Sequence, residues 1–174
     1  MADCIGTFEA MEKSPLIIIS AVRGLALGGG CELALASDFV IAAANAEFGL
    51  PEANFGLMPS YGAFRGAEVI GRQRIKHLIC TGDRISGQRA VEIGLALEAH
   101  PAENVLERAL SLAQTIASKA PIAVSACKRV VNRDIDGGAF AYSVDLVTAI
   151  QGTADVAEGL AAFSDRRKPT FRGN

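Results

Sequence analysis

Hydrophobic positions along the chain follow two rhythms. Leu16-Ile17-Ile18-Ile19-Ser20-Ala21-Val22 is a short apolar run stopped by Arg23-Gly24, and Phe39-Val40-Ile41-Ala42-Ala43-Ala44 is a second. Apolar runs of this length between turn residues predict strands. Between them, after Gly28-Gly29-Gly30, the segment CELALASD reads as a helix. Farther along, residues 73–79, 87–93 and 103–119 carry apolar side chains three and four apart, which predicts helices, and Gly94 suits a helix stop. Pro121 opens another helix to about residue 133, Asp136-Gly137-Gly138 marks a loop, and helices follow over 139–151 and 153–164. Ala-rich apolar faces on these last helices exceed what one small sheet needs. Without repeats, low-complexity tracts or linkers, the chain reads as one α/β domain over 1–174, with a core over about 14–134 and C-terminal helices over 135–174.

The strand, glycine triplet and helix form a junction with chemical potential. A helix N-terminus presents unpaired N–H groups and the positive end of the helix dipole, so it suits an oxygen that gains negative charge. Glycines let the backbone approach a ligand closely. Two nucleotide readings fail. A phosphate-binding P-loop needs Lys and then Ser or Thr after its last glycine, and Gly30 is followed by Cys31-Glu32; a dinucleotide fingerprint needs a third glycine where Leu33 stands. An acid in the first helical turn repels a phosphate, whereas beside a carbonyl that becomes an oxyanion it can do proton chemistry.

A second acid, Glu52, follows Glu32 by twenty positions in Phe48-Gly49-Leu50-Pro51-Glu52. If the Phe39 run lies beside the Leu16 strand, Glu52 returns to the end of the sheet that holds the glycine loop. Two carboxylates at close range do not both ionise freely, so one would hold a proton near neutral pH while the other stays charged. From residue types alone the bland alternative stands beside this one: Glu32 favours a helix N-terminus, and Glu52 opens a helix or caps a loop.

The run ISAVRGLALGGGCELA over residues 19–34, followed by Ala46-Glu47-Phe48-Gly49-Leu50-Pro51-Glu52, resembles the signature of the crotonase (enoyl-CoA hydratase/isomerase) superfamily. The resemblance continues through Gly56-Leu57-Met58-Pro59, Thr81-Gly82-Asp83-Arg84-Ile85-Ser86 and Gly94-Leu95 to the final FSDRRKPTF over 163–171, nearly the whole chain from about Ser14. It implies an α/β spiral fold of the ClpP/crotonase type, N-terminally truncated, with a C-terminal helical region used for trimerisation. Residues 2–13 resemble the last turns of the helix before the Leu16 strand.

The resemblance also implies roles. Gly29 would donate its N–H to the thioester oxygen of an acyl-CoA, Glu32 would deprotonate a water, and Glu52 would deliver a proton to the alpha carbon. Leu27, Gly28 and Pro51 would line the substrate, and Phe163 and Arg166 would contact the CoA adenine and phosphates, Arg166 replacing a usual Lys. Isomerases of the family typically keep the acid at Glu52 and lack the one at Glu32, so the pair favours hydration of a 2-enoyl-CoA to a 3-hydroxyacyl-CoA. The family's second oxyanion N–H and much of its CoA pocket come from the N-terminal part, so this chain would supply only the Gly29 donor and leave strand edges uncovered. A non-catalytic, truncated acyl-CoA-binding or partner protein and an enoyl-CoA isomerase remain the alternatives. Where many members read Pro-Gly-x-Gly-Gly, this chain has Pro59-Ser60-Tyr61-Gly62-Ala63-Phe64, and the bulk of Tyr61 and Phe64 is expected either to reshape the acyl pocket or to mark relaxed catalytic constraint.

Composition adds exclusions. A net charge of −2 supplies no basic field to draw in nucleic acid. Mean hydropathy is +0.28, yet Ser37-Asp38 interrupts the longest apolar stretch, so no membrane span is expected. The basic aromatic tail from Arg166-Arg167-Lys168 to Phe171-Arg172 reads as a solvated helix end, as a CoA contact by the resemblance, and only distantly as an RNA contact. Cys4, Cys31, Cys80 and Cys127 are widely spaced and read as reduced, mostly buried thiols, and neither they nor His77 and His100 form a metal pattern. The expected setting is cytoplasmic, or the mitochondrial matrix for a processed eukaryotic chain. The expected assembly is a homotrimer or hexamer, with no metal and no cofactor beyond the CoA of the substrate.

Overall fold

The computed structural model describes residues 2–119, 121–132, 144, 145, 148, 149 and 151–172. Helix α1 (Ala2–Lys13) leads into β1 (Ile19–Val22) and β2 (Leu25–Leu27), and α2 (Gly29–Leu35) follows the glycine triplet. Then come β3 (Phe39–Ala43), β4 (Glu47–Gly49), a 3-10 turn (Pro51–Phe55), α3 (Ser60–Val69) and α4 (Arg72–Thr81). A third pair of strands, β5 (Arg84–Ser86) and β6 (Glu98–His100), flanks α5 (Gly87–Ile93), and α6 (Val105–Ala117), α7 (Pro121–Val131) and α8 (Ala154–Ser164) complete the described elements. The loop expected at Asp136-Gly137-Gly138 and most of the helix expected over 139–151 lie outside the described residues. Among the described residues no helix is long and apolar enough to cross a membrane.

The six described strands divide between two sheets, each successive pair of strands giving one to each, though β5 follows β4 into the same sheet. One has the order β1-β3-β6, all parallel; the other has the order β2-β4-β5, with β2 parallel and β5 antiparallel to β4. Each passage of the chain therefore adds a strand to both sheets, which gives a spiral. The central strand β3 explains the unbroken apolar run seen in the sequence: Val40, Ile41, Ala42 and Ala43 are all buried, as strands covered on both faces require. Ile41, Phe48, Leu50, Tyr61, Leu78 and Val105 are the largest apolar side chains sealed in the core. β1 and β2 each pair on one side only, and Leu16 and Leu25 beside them are 71% and 69% exposed.

The first strand starts later than its apolar run. Ahead of it, backbone groups are spent on side chains: the Ile18 N–H donates to Asp38 Oδ2 (2.7 Å), and the Leu16 carbonyl accepts from Lys128 Nζ (2.8 Å). Lys128, buried on α7, uses its other two donors on the Met11 carbonyl (2.8 Å) and Asp38 Oδ2 (2.7 Å). One ammonium thus ties α7, the α1–β1 connection and the entry to β3 together.

Helix α8 docks on the 3-10 turn through Gly159. A Cβ there would meet the Phe55 carbonyl carbon and oxygen at 2.5 Å, so only glycine lets the two backbones approach this closely. Gly159→Ala tests the contact. Alanine favours an isolated helix by about 1 kcal/mol, so any fall in melting temperature reports the interface. Forcing the methyl in should cost about 1–3 kcal/mol net, and thermal unfolding followed by circular dichroism should show a drop of about 2–4 °C per kcal/mol. An unchanged or raised melting temperature would show that α8 is free to shift.

Candidate active site

The glycine loop is built by strand pairing. β2 lies beside β4 in the register Leu27↔Gly49, and the Gly28 N–H extends the ladder to the Gly49 carbonyl (3.0 Å). Gly28 then turns with φ 55 and ψ −125, a region open only to glycine. Its carbonyl accepts from the N–H groups of Cys31 (2.8 Å) and Glu32 (3.0 Å), which starts α2 and points Glu32 inward. Gly29 and Gly30 occupy the first two helical positions, whose N–H groups lack intrahelical acceptors. Both are exposed, and a Cβ on either would meet open space.

The expected return of Glu52 to this loop occurs, by a different route. The Leu16 and Phe39 runs do pair, as β1 and β3. Glu52 is carried instead by the second sheet, since β4 runs parallel to β2 and ends two residues before Pro51 opens the 3-10 turn. Glu52 Oε1 lies 3.1 Å from where a Gly28 Cβ would be. A side chain at Gly28 would therefore press on the carboxylate as well as strain the backbone.

Glu32 is buried and Glu52 half-buried, and their partners differ. Glu32 is 9% exposed, and its Oε1 accepts the Gly62 N–H at 2.8 Å. Burial raises its pKa from the ordinary value, and the N–H groups of Gly62 and Tyr61 oppose that rise by stabilising the anion. These donors open α3, whose N-cap Pro59 supplies no side-chain cap, so the Glu32 carboxylate caps α3 in its place. Glu52 gains no donor from another element, only the opposing pull of its own backbone N–H. Its Oε2 is buried without a hydrogen-bond partner, and burial, with a further push from the Glu32 charge, lifts its pKa to about 7. The donors on Glu32 favour its carboxylate, and the buried, unpartnered oxygen of Glu52 favours its protonated form.

Of the residues singled out in the sequence, Leu27, Gly28, Gly29, Glu32, Pro51 and Glu52 gather on the β2–α2 and β4–Pro51 junctions. Phe163 reaches the end of the 3-10 turn from α8: its ring meets Phe55 edge-on (5.3 Å between centroids) yet is 68% exposed. Arg166 holds φ 54, an uncommon conformation for a residue with a side chain, in the turn that ends α8. The rest of the tail folds back on the helix, with Arg167 on Glu158 (2.6 and 2.8 Å) and the Arg172 N–H on Asp155 (2.8 Å).

Two expectations are corrected. Tyr61 is sealed against α1, its ring 4.9 Å from that of Phe8 and its hydroxyl on Glu12, so its bulk is absorbed by the core. Of the three cysteines described as free thiols only Cys31 is buried, whereas Cys80 and Cys127 are exposed because they face outward from α4 and α7. Cys31 is held as a neutral thiol, its pKa pushed up to about 12 by burial. The residue missed in the sequence is Gly62, whose contribution is a backbone N–H and leaves no side-chain signature.

Two sheets built up strand pair by strand pair and a glycine loop opening a helix over two acids define a crotonase-type fold. The chain belongs to the enoyl-CoA hydratase/isomerase family, whose model matches residues 4–174. It is 40% identical over 168 residues to the crotonyl-CoA hydratase of Syntrophomonas wolfei, covering 94% of this chain and 63% of that protein. It is 38% identical over 160 residues to the 2,3-dehydroadipyl-CoA hydratase of Escherichia coli, covering 90% and 63%. Among solved structures it resembles carnitinyl-CoA hydratase from Mycobacterium avium, with TM-score 0.85 and 39% identity over 90% of this chain and 62% of that one. An enoyl-CoA hydratase from Mycobacterium avium subsp. paratuberculosis matches with TM-score 0.91 at 27% identity, covering 98% and 71%. The chain thus spans 63% of the length of the two curated relatives named.

Proposed function

We propose that this chain carries the site for hydration of a 2-enoyl-CoA to a 3-hydroxyacyl-CoA. The observation that carries the reading is the unequal pair: Glu32 with N–H donors for its charge, and Glu52 with a buried, unpartnered oxygen and a pKa of about 7. The thioester oxygen rests on the Gly29 N–H, with Leu27, Gly28 and Pro51 around the reacting carbons. Glu32 takes a proton from water as the oxygen adds to C3. The electron pair of the double bond moves to the thioester oxygen, where the N–H holds the developing charge. Glu52 then protonates C2, and the elements of one water have been added. No cofactor beyond the substrate's own CoA enters. The exposed Phe163 and the constrained Arg166 serve the CoA adenine and phosphates, a use consistent with an aromatic left out of the core and with strain retained in a backbone turn. Assembly as a homotrimer or hexamer belongs to the same proposal.

Incubation with crotonyl-CoA tests it. Loss of the conjugated thioester absorbance with formation of 3-hydroxybutyryl-CoA is the expected result. A shifted double bond without hydration would make the site an isomerase, and tight acyl-CoA binding without turnover would make it a binding protein.

A further inference from the structure

We infer that Tyr61 and Glu12 are positioning residues for Glu32, acting through the first turn of α3. Glu12 sits one residue from the end of α1, is 9% exposed, and reaches across to α3. Its Oε1 accepts the Tyr61 hydroxyl at 2.5 Å and Arg65 Nε at 2.5 Å. Arg65 Nη2 adds an ion-pair contact to the same oxygen, without hydrogen-bond geometry, and Nη1 turns to Glu68. Tyr61 is 1% exposed and follows Ser60 in the opening turn of α3. The next residue is Gly62, whose N–H is 2.8 Å from Glu32 Oε1.

The geometry makes a short mechanical chain. With no side-chain cap at Pro59, little else within α3 fixes the direction of its first N–H groups. Tyr61 is pinned at both ends of its ring, by Phe8 on one side and by Glu12 at the hydroxyl. Burial and the adjacent Glu12 carboxylate push the phenol above its ordinary pKa, so it stays a donor. The neighbouring Gly62 N–H is then held on the Glu32 carboxylate instead of swinging with the end of a frayed helix. A Cβ at Gly62 would stand 2.9 Å from Leu50 Cδ1, so a larger residue there would make the buried Leu50 side chain shift. The titratable groups facing Glu32 in the site are Glu52 and Cys31.

This inference rests on Glu32 acting as the base in hydration, but its test does not. Tyr61→Phe keeps the ring and removes the hydroxyl. Glu12→Asp keeps the charge and withdraws it by one methylene, and either should loosen the Gly62 N–H. Titration of the Glu32 carboxyl by carbon-13 NMR should show its midpoint rising by about 1 pH unit in both variants, since an anion that loses an N–H donor is less stable. Glu12→Gln, which keeps an acceptor for the phenol, should restore most of the wild-type midpoint. If the protein hydrates crotonyl-CoA, the acidic limb of kcat should move upward by the same amount with KM unchanged. A lowered melting temperature with an unmoved Glu32 midpoint would overturn the inference and leave Tyr61 a packing residue. A moved midpoint in a protein that does not hydrate crotonyl-CoA would uphold it and reject the hydratase reading.

Discussion

Glu52→Gln is expected to slow hydration of crotonyl-CoA by about 10²–10⁴-fold, the usual worth of a positioned general acid or base. Glutamine fills the same volume and can hydrogen-bond the same way, but it carries no transferable proton. Glu32→Gln should cost a comparable factor for the opposite reason, since it removes the acceptor for the water's proton. Because the proposed mechanism sets both acids on one water and one double bond, the double variant should lose little beyond the worse single one. Steady-state rates from the thioester absorbance decide the matter, and retained activity in either single variant would reject the two-acid mechanism. The pH dependence follows from the same environment. Glu52 must hold a proton to act as the acid, and with its pKa at about 7 the rate should fall as the pH rises past that value.

Stability carries the matching sign. Glu52 has a folded-state pKa above its ordinary carboxylate value, so between the two values the native state binds more protons than the unfolded chain. Its contribution is present in full below the ordinary value and is lost as the pH rises through about 7. Glu52→Gln should therefore melt above the wild type at about pH 8 and lose that advantage at about pH 5. A difference independent of pH would show that the carboxyl is solvated.

Lys128→Met is expected to produce the largest loss of stability, about 3–5 kcal/mol, because it breaks a buried pair by removing one partner. The side chains of Lys128 and Asp38 are only 2% and 13% exposed. Methionine replaces the stem but leaves Asp38 with the Ile18 N–H as its described donor, and takes the Lys128 bond from the Met11 and Leu16 carbonyls. Against a typical total of about 5–15 kcal/mol, that loss brings a domain near its unfolding threshold. Urea unfolding measures it, and adding Asp38→Asn to Lys128→Met should recover part of the loss, since the second change removes the stranded charge. A cost below about 1 kcal/mol would mean that the pair behaves as a surface one.

Much of this site is legible in the chain because its parts are local. The glycine triplet before Cys31-Glu32 declares a helix opening, and the apolar runs at Leu16 and Phe39 declare strands that do pair. Helices α4 to α8 likewise follow apolar spacing and turn residues that act within a few positions. The three-residue strands β2, β4, β5 and β6 escape such reading, because three residues show no period and their pairing is decided by partners far along the chain. That matters for Glu52: its proximity to Gly28 comes from β2–β4 pairing, while the longer strands only support the framework.

The sequence by itself determined the two acids, the glycine loop and the family they belong to, since each is written in residue types at short spacing. Tertiary structure alone decided which acid has donors. The Gly62 N–H that holds Glu32 comes from a helix thirty residues away, and that helix is braced by Glu12, 49 positions before Tyr61. Burial, too, is a property of the assembled fold. Two identical side chains acquire different affinities for a proton because one meets the N-terminus of α3, while the other sets only its own backbone N–H against burial and its neighbour's charge.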